Sequence, residues 1–199
     1  MVSYSVSSGA NSLRSPTIIL IIVNVFVYIL LLLGGDPVYY TLAQTGVLFF
    51  GLHEYWQLFT SMFVHFSILH IAFNMYGLYY FGRLNEIHFT VPQYLAIYFG
   101  SGLLGNVMSL YLIAPNIPSG GASGAIFGLV GSYVAIEKKA QNMGMALIYA
   151  ALIFIQSSIG PGVNVFAHLF GLVGGLLLGL LFSARRHQGG YSINYTYTS

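Results

Sequence analysis

Apolar residues follow one another along this chain in long runs, and short polar stretches separate the runs. A helix that crosses a membrane needs about 20 mostly apolar residues. Runs of about that length lie at residues 16–34, 58–82, 90–113, 122–138, 143–159 and 163–184. The pattern therefore predicts an all-α membrane protein whose bundle contains six transmembrane helices.

The composition agrees with a membrane location. Hydrophobic residues make up 57% of the 199 positions and charged residues only 5%, whereas a soluble domain has about 25% charged residues. Six lysines and arginines are too few for a nucleic-acid-binding surface, so no nucleic acid is expected as a partner. The chain has no cysteine, which excludes disulfides, thiolate metal sites and a cysteine nucleophile.

The basic residues predict the orientation of the six helices. If the N-terminus is cytoplasmic, every lysine and arginine lies on the cytoplasmic side, as the positive-inside rule requires. We therefore expect a multi-pass protein of the cell membrane with both termini cytoplasmic. Residues 1–13 are predicted to be a disordered cytoplasmic tail, residues 14–186 to form the six-helix membrane domain, and residues 187–199 to be a polar cytoplasmic tail. The basic residues are Arg14, Arg83, Lys138, Lys139, Arg185 and Arg186.

Residues 36–57 connect the first two predicted helices on the outer side. The segment is too polar to span the membrane, but it is rich in Tyr, Phe and Trp. These aromatic residues favour the boundary between membrane and water. We expect an interfacial hairpin that lies partly in the bilayer, rather than an ordinary exposed loop.

A serine occupies the start of the fourth apolar run. Residues 114–121 before it are not helix-forming, and the 14 residues from Ser123 to Ile136 make only about 21 Å of helix. The helix should therefore begin below the outer surface, with Ser123 at its N-terminus beside free backbone N–H groups. Gly121 and Gly124 would allow another backbone to approach closely. Taken alone, Ser123 could simply be an N-cap residue.

A histidine lies in the last apolar run, one turn before a row of glycines. Gly171, Gly175 and Gly179 recur every four residues, which is a face that lets two helices touch closely. His168 shares that face and should lie at about the same depth as Ser123, given their distances from the cytoplasmic ends. We interpret His168 as a general base for a Ser123 nucleophile. The alternative is that His168 makes a structural hydrogen bond between helices.

The second run adds further polar groups. His70 and Asn74 are four residues apart, so they share a helix face, and their N–H groups are suitable donors to a tetrahedral oxyanion. Each could instead make a structural hydrogen bond, and His65 lies somewhat off this face. All four acidic residues lie at or beyond predicted helix ends. No carboxylate is left for a catalytic triad or a zinc site, so any catalysis must use a Ser–His pair without metal.

The three sequence motifs that contain His70 and Asn74, Ser123, and His168 together resemble those of the rhomboid intramembrane serine proteases. The resemblance extends over nearly all of the chain. The resemblance implies a rhomboid six-helix core, a Ser123 nucleophile, a His168 base, and an oxyanion site from His70, Asn74 and the Ser123 N–H. It also implies that no cofactor is needed and that the partners are membrane lipid and transmembrane proteins, cut near the outer leaflet. The motifs are His65-x4-His70-x3-Asn74, Gly121-Ala122-Ser123-Gly124 and Ala167-His168-x2-Gly171-x3-Gly175.

Two positions depart from the pattern of many bacterial members. Phe127 replaces a tyrosine four residues after the serine, although its ring can still pack against His168. Trp56-Gln57 stands where a Trp-Arg pair is common.

Two other classes of protein would use similar polar groups. An inactive rhomboid-like binding protein would normally lack the serine or the histidine, and a transporter would show internal repeats or paired broken helices.

Overall fold

The computed structural model describes residues 15–136 and 164–188, together with residues 144, 148, 151 and 152. In these ranges the chain is helical, apart from loops and one isolated antiparallel bridge between Gln44 and Ser119. A π-helical turn at Val47–Gly51 and a 3₁₀ turn at Ser61–Phe63 lie between the α-helices. The helices are α1 (Pro16–Leu42), α2 (Gln57–Thr60), α3 (Ile68–His88), α4 (Val91–Leu112), α5 (Ser123–Ile136) and α6 (Val165–Gln188).

Three of these helices, α1, α4 and α6, are long and apolar enough to cross a membrane. A fourth span results if α3 is counted together with the bent segment Gln57–Phe63 before it. The shorter α5 has 14 apolar residues and starts at Ser123, as the sequence predicts. The predicted fifth run (143–159) and the predicted tails (1–13 and 187–199) fall almost entirely outside the described residues. The six-span count therefore stays a prediction.

The second predicted helix differs from the structure. Residues 58–82 do not form one straight helix, because the chain bends by 93° between Phe63 and Ile68. Ser67 is extended and its hydroxyl accepts the His70 N–H, which caps a new helix. This local hydrogen bond explains why α3 begins at Ile68 rather than ten residues earlier. The helix then continues to His88, six residues past the end of the predicted run at residue 82.

The first helix continues beyond its predicted end at residue 34. Gly35 has a positive φ of 62°, which lets the chain kink and then resume a helix to Leu42. Pro37 follows the kink within the first turn of the resumed helix, where its missing N–H leaves no hydrogen bond unmade. The predicted outer hairpin is therefore shorter than expected. The loop that remains after Leu42 carries half-exposed aromatic side chains, including Phe50, Tyr55 and Trp56.

Gln57 anchors this outer loop. Its side chain is fully buried, and its Nε2 donates to the Tyr40 carbonyl at 3.0 Å and to Glu54 Oε2 at 2.7 Å. Its Oε1 accepts the Thr45 N–H at 3.2 Å. A neutral amide thus ties both ends of the loop together.

Helix α5 lies at the centre of the bundle, and every residue from Ser123 to Tyr133 is buried. Its backbone touches that of α6 along the glycine row that the sequence identifies. A Cβ atom added to any of those glycines would meet backbone of α5. The contacting pairs are Gly171 with Gly124, Gly175 with Gly128, and Gly179 with Ser132.

Polar contacts at the other end of the bundle hold α3 against α5 and α1. Asn85 donates to the Leu129 carbonyl at 2.9 Å and accepts the Ser132 hydroxyl at 2.6 Å. Glu86 accepts the Thr17 N–H at 2.9 Å, near the start of α1. Because these groups are buried or half-buried, their pairing fixes the relative position of the three helices.

Candidate active site

Ser123 and His168 meet in the interior of the bundle. His168 Nε2 lies 2.7 Å from Ser123 Oγ, which is hydrogen-bond distance, although the two residues are 45 positions apart in the chain. Only 7% of Ser123 and 5% of His168 is exposed. Ser123 is the first residue of α5, where backbone N–H groups lack helical partners. The serine is thus buried at a helix N-terminus with an imidazole in contact.

Close backbone packing produces this contact. A Cβ atom on Gly124 would lie 3.3 Å from the Ala167 carbonyl oxygen, and one on Gly105 would lie 2.5 Å from the same atom. The residue that precedes His168 is therefore held between the backbones of α4 and α5. Sequence reasoning identified Gly124 but missed Gly105, because a lone glycine in an apolar run gives no sign of what it faces.

Phe127 orients the imidazole. Its ring stacks on that of His168 with a centroid distance of 4.7 Å and an angle of 18°. Among the described residues, His168 Nδ1 has no hydrogen-bond partner. The arrangement is consistent with a neutral ring that carries its proton on Nδ1 and offers Nε2 to the serine hydroxyl.

His70 points a donor toward the serine. The Phe66 N–H donates to His70 Nδ1 at 3.3 Å, so a neutral His70 carries its proton on Nε2. The Phe66 ring also lies parallel to the imidazole, at 5.5 Å. Gly121 has a φ of 125°, and a Cβ atom there would lie 2.9 Å from His70 Nε2 and 3.6 Å from Ser123 Oγ. The glycine backbone thus leaves the space between this N–H and the serine open.

Asn74 and His65 are the other polar residues that the sequence identifies on this segment. Asn74 is buried one turn below His70 and donates one amide N–H to the His70 carbonyl at 2.8 Å. An amide has a second N–H, which remains for another acceptor. His65 bonds through Nδ1 to the Phe63 carbonyl at 3.1 Å, and its ring lies edge-on to His70 at 5.0 Å. His65 therefore supports the His70 ring and does not contact Ser123.

A buried serine in contact with an imidazole, at a helix N-terminus inside an apolar bundle, is the arrangement of a membrane-embedded serine hydrolase. The comparison with known families agrees with this class. The rhomboid domain model matches residues 52–185, which include Ser123, His168, His70 and Asn74. The chain belongs to the rhomboid family and is an integral membrane protein.

Individual relatives carry the same family name. The chain is 34% identical over 142 residues to the rhomboid protein YdcA of Bacillus subtilis, an alignment that covers 68% of this chain and 71% of YdcA. It is 31% identical over 186 residues to Rhomboid-like protease 2 of Toxoplasma gondii, covering 84% of this chain and 65% of the relative. Rhomboid protease GluP of Bacillus subtilis is 35% identical over 130 residues, covering 61% of this chain and 25% of GluP.

Proposed function

We propose that this protein is an intramembrane serine endopeptidase that cleaves transmembrane protein substrates through a Ser123–His168 dyad. The observation that carries the proposal is the buried contact of 2.7 Å between His168 Nε2 and Ser123 Oγ. Membership of a family in which several relatives are named proteases supports the same reaction. Hydrolysis of peptide bonds is the chemistry that such a pair is suited to perform.

The proposed reaction begins with proton transfer. His168 Nε2 accepts the Ser123 hydroxyl proton while Oγ attacks the carbonyl carbon of the scissile peptide bond. The imidazolium then gives that proton to the leaving amine, and an acyl-enzyme remains on Ser123. A water molecule, deprotonated by His168, hydrolyses the ester and restores the serine.

The oxyanion of the tetrahedral intermediate needs hydrogen-bond donors near Ser123. We assign this role to His70 Nε2–H, the Ser123 backbone N–H and the free amide N–H of Asn74. The open space beside Gly121 lies between His70 Nε2 and Ser123 Oγ, which supports placing the oxygen there. Donors of this kind act most strongly where water is excluded.

We further propose that cleavage takes place near the outer leaflet. Ser123 begins α5, and the basic residues Lys138 and Lys139 follow that helix in the sequence. Under the positive-inside rule the end with the serine then faces outward. The same rule supports six spans with both termini cytoplasmic. A helical substrate must unwind at the cut, because its backbone groups are otherwise shielded by its own hydrogen bonds.

Covalent labelling of the purified full chain tests the dyad. A fluorophosphonate probe should modify the wild type at Ser123 and block cleavage of a membrane-embedded test substrate. We expect Ser123→Ala and His168→Ala each to abolish both labelling and cleavage. Ser183→Ala is the matched control, because this half-buried serine of α6 has a hydrogen bond only to the Leu180 carbonyl of its own turn. Cleavage at the wild-type rate by either dyad variant would contradict the proposed function.

A further inference from the structure

Asn164 lies immediately before α6 and is 94% buried, with 6% of its surface exposed. Its Oδ1 accepts the Ala167 N–H at 3.1 Å, and its backbone carbonyl accepts the His168 N–H at 3.3 Å. These two contacts cap the helix that carries the imidazole. The side chain has one further contact, in which Nδ2 donates to Ser119 Oγ at 3.1 Å.

Ser119 belongs to the irregular segment that leads into α5. Its backbone pairs with Gln44 in both directions, with N–O distances of 2.8 and 2.9 Å. The Gln44 side chain is buried and donates to the Asn106 carbonyl of α4 at 2.9 Å. Two residues further on, the Gly121 N–H donates to the Ser61 carbonyl at 2.8 Å. The segment before Ser123 is therefore fixed to the outer loop and to α4.

We propose that Asn164 is a positioning residue that sets the distance between Ser123 and His168. It joins the first turn of α6, which carries the histidine, to the segment that carries the serine. This inference rests on the proposed function and adds to it a residue outside the reacting groups. Because no carboxylate of the described residues holds His168, small displacements of the α6 terminus act directly on the Ser–His contact.

The other contacts of His168 and of its turn are packing contacts. Stacking on Phe127 restricts the plane of the imidazole, and the close backbone contacts of Ala167 and Gly171 restrict the separation of α6 from α4 and α5. Such contacts resist the approach of two backbones more than a shift of the first turn of α6 along the surface of α5. The Asn164–Ser119 bond opposes such a shift, because it connects that turn to a rigid segment.

Two substitutions separate this role from helix capping. Asn164→Ser keeps a good N-cap residue, but its hydroxyl is too short to reach Ser119. Ser119→Ala leaves Asn164 and its cap unchanged and removes only the acceptor of the connecting bond. If the bond positions the dyad, the two variants should have the same defect.

The experiment measures kcat and KM for a membrane-embedded substrate and the rate of Ser123 labelling by a fluorophosphonate. We expect each variant to lower kcat and the labelling rate by about 10–100-fold, since a shift of about 1 Å can reduce the rate about 10²-fold. KM should be unchanged. The double variant should be no worse than either single one, because both remove the same bond. Asn116→Ala, at an exposed position of the same segment, is the control and should behave as the wild type.

A conservative variant and a measurement of the melting temperature distinguish a loss of positioning from a loss of folding. Asn164→Asp keeps the cap and can accept a bond from the Ser119 hydroxyl, so it should restore most of the activity that Asn164→Ser loses. Three results would each overturn the inference. The first is a wild-type rate in Asn164→Ser, and the second is an additive loss in the double variant. The third is a lower melting temperature with an unchanged rate per labelled molecule. If any of these results occurs while the wild type is active and Ser123→Ala is inactive, the proposed function stands and only the positioning role of Asn164 is rejected. An inactive, unlabelled wild type would overturn both.

Discussion

At the scale of single residues, the imidazole of His168 stacks on an aromatic ring, and no carboxylate contacts it in the part of the chain that the structure describes. In a triad, the acid holds one imidazole tautomer and stabilises the imidazolium. Here the stacked ring of Phe127 can restrict the orientation of the imidazole, but it supplies no full negative charge. The proposed base should therefore depend strongly on packing.

Replacing Phe127 tests this dependence. A stacked aromatic pair contributes about 0.5–1.5 kcal/mol beyond its buried area, so we expect Phe127→Ala to reduce kcat by about 2- to 13-fold. Phe127→Tyr keeps the ring and should retain wild-type turnover. Both variants are measured with a membrane-embedded substrate. Full activity of Phe127→Ala would mean that another group orients His168.

The proposed oxyanion donor gives a second prediction for a single residue. His70→Phe keeps a ring of similar shape and stacking but removes the Nε2–H donor. Loss of one such donor lowers kcat by about 10²–10³-fold, and we expect a loss of that order with little change in KM. Asn74→Ala removes the other proposed side-chain donor and should also lower kcat with little change in KM.

His53→Phe, in the outer loop, is the control for the loss of a histidine and should cleave normally. A higher KM at constant kcat in His70→Phe would show a role in substrate binding rather than in the transition state.

At the scale of helices, α5 and α6 meet along the glycine row through backbone atoms, which cannot move aside to absorb added volume. In Gly171→Ala, the new Cβ atom would meet the Gly124 carbonyl oxygen. Such overpacking destabilises a protein by about 1–3 kcal/mol, and it should also lengthen the Ser123–His168 contact. We expect a melting temperature lower by several degrees and a kcat reduced by about 10²-fold.

Gly100→Ala is the matched control on α4. Its Cβ atom would approach only the end of the flexible Leu178 side chain, at 3.3 Å. This variant should melt and cleave as the wild type does. Normal turnover in Gly171→Ala would contradict the view that helix contact sets the dyad distance.

The helices differ in how well the sequence predicts them. The limits of α4 fall within one residue of the prediction, because Thr90 begins a capping box and the apolar run stops where the helix stops. The break before α3 is invisible in hydropathy, since the residues on both sides are apolar. The kink at Gly35 is hidden for the same reason. A change of helix direction depends on single caps and glycines, which composition does not report.

The residues of the candidate site likewise divide into those that the sequence identifies and those that it does not. Ser123, His168 and His70 were identified because polar residues in apolar runs are conspicuous. Gly105, Asn164 and the anchoring role of Gln57 were missed, because their importance comes from what they touch after the helices assemble. In particular, the loop anchor at Gln57 depends on partners 3 to 17 positions away, which no local motif reveals.

At the scale of the whole molecule, the proposed orientation is open to a direct test. The chain has no cysteine, so a single introduced thiol is the only reactive one. We expect Asn116→Cys to react with a membrane-impermeant maleimide added to intact cells, and Lys138→Cys to react only after permeabilisation. Proteolytic activity of each variant confirms that it is folded. The opposite pattern of labelling would reverse the proposed topology and place the dyad near the inner leaflet.

The glycine contacts between α5 and α6 also have an entropic consequence. A contact between two backbones has no rotamers, so the separation of the two helices cannot vary through side-chain rearrangement. The conformational freedom of the Ser–His pair is therefore lost once, when the bundle folds, and not again each time a substrate binds. In the proposed reaction, which must also order an unwound segment of substrate, this leaves the enzyme's own groups with little entropy to lose.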